Sequence, residues 1–298
     1  MERQPSLSIV IPAKNEEGGL ATFLTRLRTL YPEAEILVAD DGSTDATASV
    51  ALAAGARVLS SPYAMGNGAA IKRGVRAARG EILVFMDADG QHDPALIEAL
   101  LRPLSGGYDM VVGARGWDGQ ANAGRGMANA VYNRLASWMT GFRVADLTSG
   151  FRAVRREKFQ EFLHLLPNGF SYPTTITMAF FRSAYAIKYV PVPVKARIGR
   201  SHLKPLRDGV RFLLIIFKIA TLYSPLKLFA PVSALFFLLG AGYYAHTFLT
   251  EHRFTNMSAL LLSASVIVFL VGLMSEQITA MAYSGNARSA ADHSSGSN

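Results

Sequence analysis

Asp87 and Asp89 stand two residues apart at the end of a short apolar run, Glu81–Met86, with Gln91, His92 and Asp93 directly behind. In extended backbone, side chains two apart leave on the same face, so both carboxylates can converge on one point past the run. Carboxylates that close repel unless positive charge lies between them. A hard divalent cation with oxygen ligands, itself bridging phosphates, satisfies such a pair. The plain alternative is an acidic turn, because Asp93-Pro94 is a good helix start. His92 offers a further titratable group, read as a support of the acidic loop rather than an acid or base. The basic candidates, Lys72, Arg115 and Arg125, suit phosphate oxygens, although each taken singly reads as an ordinary surface charge.

The elements that must position these residues follow from periodicity. Leu7–Ile11 reads as a strand ending at Pro12, and leucines 20, 24, 27 and 30 mark an apolar helix stripe. Ile36–Ala39 is the next strand, ending in Asp40-Asp41-Gly42-Ser43-Thr44-Asp45, where Ser43 or Thr44 would cap a helix to about Ala54. Arg57–Ser60 reads as a weaker strand. Gly66-Asn67-Gly68 reads as a flexible loop opening a helix through Ala78. Glu81–Met86 and Met110–Ala114 are further strands around a helix over Pro94–Pro103. Strands alternating with helices predict an α/β fold with a mostly parallel, Rossmann-like sheet. Ligands of such sheets bind at the carboxyl ends of strands. Pro12, Asp40-Asp41, Asp87-Asp89 and Arg115 all fall there, which predicts one site. Carboxylates 40, 41, 87 and 89 would take ribose hydroxyls, a base edge and a metal.

Composition divides the chain. Half of the 298 residues are hydrophobic, concentrated in the last third, and the net charge is +8. Cysteine is absent, which excludes disulfides and thiol chemistry. Met1–Glu17 enters a strand at once, with no leader pattern. Lysines and arginines gather between Lys195 and Lys227, directly before the most apolar region, which favours a membrane surface and phosphorylated ligands over nucleic acid. Leu206–Tyr223 reads as a basic amphipathic helix in the membrane interface. Leu228–Leu249 carries no Lys, Arg, Asp or Glu and spans roughly 33 Å as a helix. Met257–Met274 is a second such stretch, so a transmembrane hairpin is expected, with the Lys/Arg cluster placing its ends in the cytoplasm. The expected boundaries are a catalytic domain at 1–200, the interfacial helix at 201–225, the hairpin at 226–283 (spans at about 228–249 and 257–278) and a disordered tail at 284–298. Gly240-x-Gly242 is a small-residue pair of the kind that packs helices, and an oligomer stays open.

Taken together, Ile11-Pro12…Asn15-Glu16, Asp40-Asp41-Gly-Ser-Thr-Asp45 and Asp87-Ala-Asp89-Gly-Gln91-His92 resemble the family 2 glycosyltransferases of the GT-A fold. Asp146-Leu-Thr-Ser149-Gly150-Phe151-Arg152 narrows the resemblance to dolichol-phosphate mannose synthases and bacterial polyprenyl-phosphate glycosyltransferases. It covers about Leu7 to Arg200. It implies a nucleotide-sugar donor, a polyprenyl-phosphate acceptor, and Mg²⁺ or Mn²⁺ at Asp87, Asp89 and Gln91. It also implies nucleotide contacts among Pro12, Ala13, Glu16, Asp40, Asp41, Lys72, Asp87 and Ala88. By the same resemblance Arg115, Arg125 and Arg200 hold phosphates beside the reacting centre with Asp89. Many relatives carry Tyr where Lys14 stands, and the threonines of Tyr172–Thr177 replace an acidic residue frequent in mannosyl-type relatives, so base and sugar stay open. There is no Glu-Asp dipeptide to serve as a base and no Gln-x-x-Arg-Trp. A lipid monophosphate acceptor needs no base, since an oxygen is already ionised. Inverting transfer by positioning and charge stabilisation is the expected chemistry. The alternatives are transfer to another lipid acceptor and a non-catalytic nucleotide-sugar-binding scaffold.

Overall fold

The computed structural model describes residues 5–115, 123–169, 172–193, 214, 217, 218, 221 and 223–295, with side chains for all of these except 123–128 and 282–295. It divides into two compact units, Met1–Phe212 and Leu213–Asn298. The first contains β1 (Leu7–Ala13), α1 (Glu17–Leu30), β2 (Glu35–Asp40), α2 (Thr47–Ala53), β3 (Arg57–Val58), α3 (Asn67–Ala77) and β4 (Ile82–Phe85). A 3-10 turn (Pro94–Leu96) runs into α4 (Ile97–Ser105), followed by β5 (Met110–Arg115), α5 (Ala123–Thr140), β6 (Arg152–Arg155), α6 (Arg156–Gln160), α7 (Tyr172–Arg182) and β7 (Ile187–Val192).

The strands form one sheet in the order β3-β2-β1-β4-β6-β5-β7. Every pairing is parallel except those of β6, which runs antiparallel between β4 and β5. The mostly parallel α/β sheet is therefore as the alternation of elements predicts. Strand β6 itself, a four-residue stretch rich in arginine, carries no readable apolar signal.

Alternation along the strands sorts the two faces. Ile9, Ile11 and Ala13 of β1 join Ile36, Val38, Val84 and Met86 against Leu20, Leu24 and Leu27 of α1 and Ile97 and Leu100 of α4. Each fully buried leucine there contributes about 2 kcal/mol. Leu30, expected in the same stripe, is 43% exposed, because α1 ends there and the chain turns away. On the opposite face α3 lies so close that a methyl at Gly74 would overlap Val10.

Two local expectations need correction. Neither Ser43 nor Thr44 caps α2; Asp45 accepts from Thr47 N at 3.0 Å. Gly66-Asn67-Gly68 is clamped rather than loose: Gly68 N donates to Gly169 O and Ala69 N to Asn168 O.

The second unit is a helical hairpin, Pro225–Glu251 and Asn256–Ser295. Both helices are long and apolar enough to cross a membrane, over Pro225–Glu251 and Asn256–Met281. Gly240 packs on Leu261 and Leu262, while Gly242 faces open space. Glu276 of the second helix accepts from Ser224 Oγ (2.9 Å) and Leu226 N (3.2 Å), capping the first helix. The second helix continues through Ser295, where the small polar composition suggested a disordered tail. Most of the expected interfacial helix, Leu206–Tyr223, lies outside the described residues; residues 214, 217, 218, 221 and 223 are helical.

Candidate active site

The site forms where β1, β2 and β4 end. Parallel register sets Ala13 beside Asp40 and Val10 beside Phe85, so the segments leaving these strands emerge at one rim. They enclose a cavity of about 340 Å³ lined by Pro12, Ala13, Lys14 and Glu16 on one side and by Asp87, Ala88 and Asp89 on another. Asp41, Asn67 and Ala70 complete the wall. Seven of the expected contacts (Pro12, Ala13, Glu16, Asp41, Asp87, Ala88 and Asp89) are thus brought together.

The loops after β1 and β2 fasten each other. Asn15 adopts left-handed backbone, with φ of 54°. It receives Thr44 N on Oδ1 at 2.9 Å, and its own N donates to Ser43 Oγ at 3.0 Å. Glu16 N donates to Thr47 Oγ1 and Ala46 N to Glu17 Oε2. An Asn tolerates that conformation better than most residues. Asp41 is buried and already engaged, accepting Met65 N at 2.7 Å and Gly66 N at 2.8 Å. It shapes the wall through the turn before α3. Asp40 is buried too and accepts Ser43 N at 3.1 Å. Gly42 has φ of 66° and lies so close to the next loop that a Cβ would stand 2.5 Å from Tyr63 C.

Other expected residues fall elsewhere. Lys72 does not line the cavity; it donates to Leu166 O at 3.2 Å and to Asn168 Oδ1. It latches the loop that clamps the start of α3. Gln91 does not line the cavity; its backbone N donates to Asp89 Oδ1 at 3.1 Å and so orients that carboxylate. The side chain of Arg125, on α5, and the whole of Arg200 lie outside the described residues.

Arg115 closes β5 and meets Asp146 in a forked pair, Nε to Oδ2 at 2.7 Å and Nη2 to Oδ1 at 3.0 Å. Nη2 also donates to Thr148 Oγ1 at 2.6 Å. Nη1 is left without a partner among the described residues. Burial disfavours the guanidinium charge, but the hydrogen bonds and charge of Asp146 outweigh it and hold Arg115 above its ordinary value. Burial likewise opposes ionisation of Asp146, yet Arg115 and the amides of Arg115 and Thr148 keep its carboxyl below the usual range. Asp146 carried no role in the sequence reading. Its only signal was its place in Asp146–Arg152, 31 residues from its partner.

His92 is buried and stacked on Phe151 with ring centroids 4.7 Å apart. Its Nδ1 has no partner among the described residues, and burial pushes its pKa down against the opposing charge of Asp89. Burial thus favours the uncharged ring, which packs the acidic loop in place.

Among the described residues no group of three or more His, Cys, Asp or Glu could hold a metal. Of the four carboxylates on the cavity wall, Asp41 is held by the amides of Met65 and Gly66, and Asp87 and Asp89 stand two residues apart on one loop. That donor set fits Mg²⁺ or Mn²⁺ in the form these ions take with nucleotides, one or two carboxylates with phosphates and water completing the shell.

A mostly parallel sheet whose strand ends carry a carboxylate pair, a loop-walled cavity and, at the end of β5, a braced arginine has the rim at which such sheets take ligands. Comparison with known proteins supplies the class. The pattern of glycosyl transferase family 2 matches residues 8–163, and that of the GtrB C-terminal hairpin matches residues 224–281. The chain belongs to glycosyl transferase family 2, and it is an enzyme of the glycosyltransferase class. It is 31% identical over 205 residues to a dolichyl-phosphate hexose transferase of Haloferax volcanii, covering 68% of this chain and 89% of that one. It is 27% identical over 296 residues to glycosyltransferase AglJ of the same organism, covering 94% and 96%. A polyprenol monophosphomannose synthase of Mycolicibacterium smegmatis is 28% identical over 209 residues, covering 63% and 77%. Among solved structures, glucosyl-3-phosphoglycerate synthase of Mycobacterium tuberculosis with Mn²⁺, UDP-glucose and phosphoglyceric acid superposes with a TM-score of 0.60 at 26% identity, covering 73% and 79%.

Proposed function

We propose that this chain is a membrane-anchored hexosyltransferase that moves one sugar from a nucleotide-sugar, GDP-mannose or a UDP-hexose, to a polyprenyl phosphate with inversion. The observation that carries the reading is the placement of Asp87 and Asp89 together on the wall of the strand-end cavity, with Arg115 at the end of β5 braced by Asp146. The names of the dolichyl-phosphate, polyprenol and undecaprenyl-phosphate transferases among its relatives support the acceptor class. The apolar hairpin favours a lipid acceptor over a soluble one.

Asp87 and Asp89 would hold Mg²⁺ or Mn²⁺, with Asp89 aligned by Gln91 N. When bound, the ion neutralises charge on the departing nucleoside diphosphate. The walls at Pro12, Ala13 and Glu16 seat the nucleoside, and the fastened loops after β1 and β2 need little reordering to receive it. Arg115 presents a charge-assisted donor to a phosphate oxygen. An ionised acceptor phosphate attacks the anomeric carbon without a protein base. Lys218 and Lys227 against Arg253 in the hairpin turn support an inner-membrane location with the catalytic unit in the cytoplasm.

The test is transfer from labelled UDP- and GDP-sugars to polyprenyl phosphate in detergent, with Mn²⁺ or EDTA. Label should enter the lipid phase from one donor, only with metal. Asp89→Asn should cut that transfer on the order of a hundredfold or more while leaving the thermal melt unchanged. Undiminished transfer in EDTA removes the metal, and undiminished transfer by Asp89→Asn removes that carboxylate.

A further inference from the structure

Arg152 is the largest fully buried side chain among the described residues, at 0% exposure. A guanidinium withdrawn from water is costly unless a carboxylate answers it. None does so at ion-pair distance among the described residues. Its Nη donors go to neutral oxygens instead: Nη2 to Ser149 O, and Nη1 to Pro173 O and Thr177 Oγ1, both at 3.2 Å, while Nε has no partner among the described residues. Nη1 also meets Met110 Sδ, and the guanidinium lies 5.9 Å from the Tyr172 ring centre. The planar fork thus ties β6 to the first turn of α7, a task a lysine ammonium cannot reproduce.

What this bracing holds still is the backbone beside the carboxylate pair. Ser149, whose carbonyl the fork grips, precedes Gly150, and Gly150 abuts Asp87: a Cβ there would stand 3.2 Å from Asp87 Oδ2. Tyr172 OH reaches Gly150 O from the other side at 3.5 Å. Gly150 has no positive φ, so contact with Asp87, not backbone conformation, is what a side chain would disturb.

We propose that Arg152 is a positioning residue for metal binding, gripping the Ser149–Gly150 backbone against Asp87 so that its carboxylate keeps one orientation toward the cavity. The inference rests on the reading of Asp87 as a metal ligand. Residues that orient ligands from behind are worth about 10- to 100-fold in metal affinity.

The experiment is Mn²⁺ binding to the full chain in detergent, read from the EPR signal of the free ion, with whichever of UDP or GDP the unmodified chain retains. Asp87→Asn serves as the reference. Arg152→Lys keeps the charge and loses the fork, and Gly150→Ala intrudes on the same contact without touching the buried charge. Each should weaken Mn²⁺ about tenfold. The double variant should be no worse than the weaker single, because both act through one contact. Phe180→Leu, in the core of the same helix, should lower the melting temperature and leave Mn²⁺ affinity unchanged. If Arg152→Lys does not fold, Thr177→Val removes one acceptor of the fork and should weaken Mn²⁺ in the same direction. If the unmodified chain binds no Mn²⁺, or Asp87→Asn binds it equally, the metal reading fails. If those controls hold but Gly150→Ala or a folded fork variant binds Mn²⁺ normally, or the effects multiply, the positioning role is overturned.

Discussion

The two units of this protein bury opposite chemistry. In the catalytic unit the interior is aliphatic and aromatic, Ile9, Leu24, Val84 and Phe151 among others, with buried carboxylates such as Asp41 and Asp146 held by hydrogen bonds. In the hairpin the buried positions include Ser233, Thr247, Ser258 and Ser265, while Leu235, Leu238, Leu249 and Met274 face outward. Water drives apolar groups together in the first case. In lipid that drive is absent, and close approach of small residues and hydrogen bonds between helices would hold such a pair. Ser233 Oγ donates to Ser265 O at 2.9 Å, and Gly240 and Gly272 admit side chains of the facing helix. One chain thus carries two solutions to burial, each suited to its solvent.

The contrast is open to test. The largest effect is expected where charge is buried inside the water-facing unit. Asp146→Asn breaks a nearly buried pair with Arg115 and should cost about 3–5 kcal/mol, measured as a fall in melting temperature. Because the folded carboxyl sits below its ordinary range, its stabilisation is complete above about pH 4 and is lost as pH falls through the folded pKa. Melts from pH 7 to pH 3 should therefore show a shallower acid decline in Asp146→Asn than in the unmodified chain. An unchanged acid limb would place the loss elsewhere.

Next comes one substitution made in both units. Leu238 and Leu52 are exposed to similar extents, 68% and 60%. Leu238→Arg should oppose membrane insertion by about 2.5–3.5 kcal/mol, whereas Leu52→Arg should change stability by less than about 0.5 kcal/mol. Insertion assays and melts of the two variants decide this, and equal tolerance would mean the hairpin is not in lipid. The smallest effect is Ser233→Ala, which removes the interhelical bond at a cost of about 0.6 kcal/mol. A loss above about 2 kcal/mol would mean that hydrogen bonding, rather than close packing, dominates the hairpin.

Much of this was legible from local pattern. The alternation of strands and helices, the gathering of Pro12, Glu16, Asp87 and Asp89 at strand ends, and the apolar hairpin all rest on periodicity and spacing within a few residues of each position. Asp41 and Lys72 show where such reading stops. Both are of the right type and at the right edge, but Asp41 spends its oxygens on the amides of Met65 and Gly66, and Lys72 on Leu166 and Asn168. Whether a polar group serves a ligand or the fold depends on what else lies within hydrogen-bond reach, and those partners are 24 to 96 residues away in the chain.

By itself, then, the sequence determined the class of sheet, the rim at which the cavity forms and the two apolar helices, because each follows from short-range order in side-chain character. Only the tertiary structure decided that Asp146 braces Arg115, that His92 is packed against Phe151, and that the buried guanidinium of Arg152 grips the Ser149 carbonyl beside Asp87. Burial and partnership are properties of residues brought together from distant parts of the chain, and they set which charges are spent on structure and which are left for chemistry.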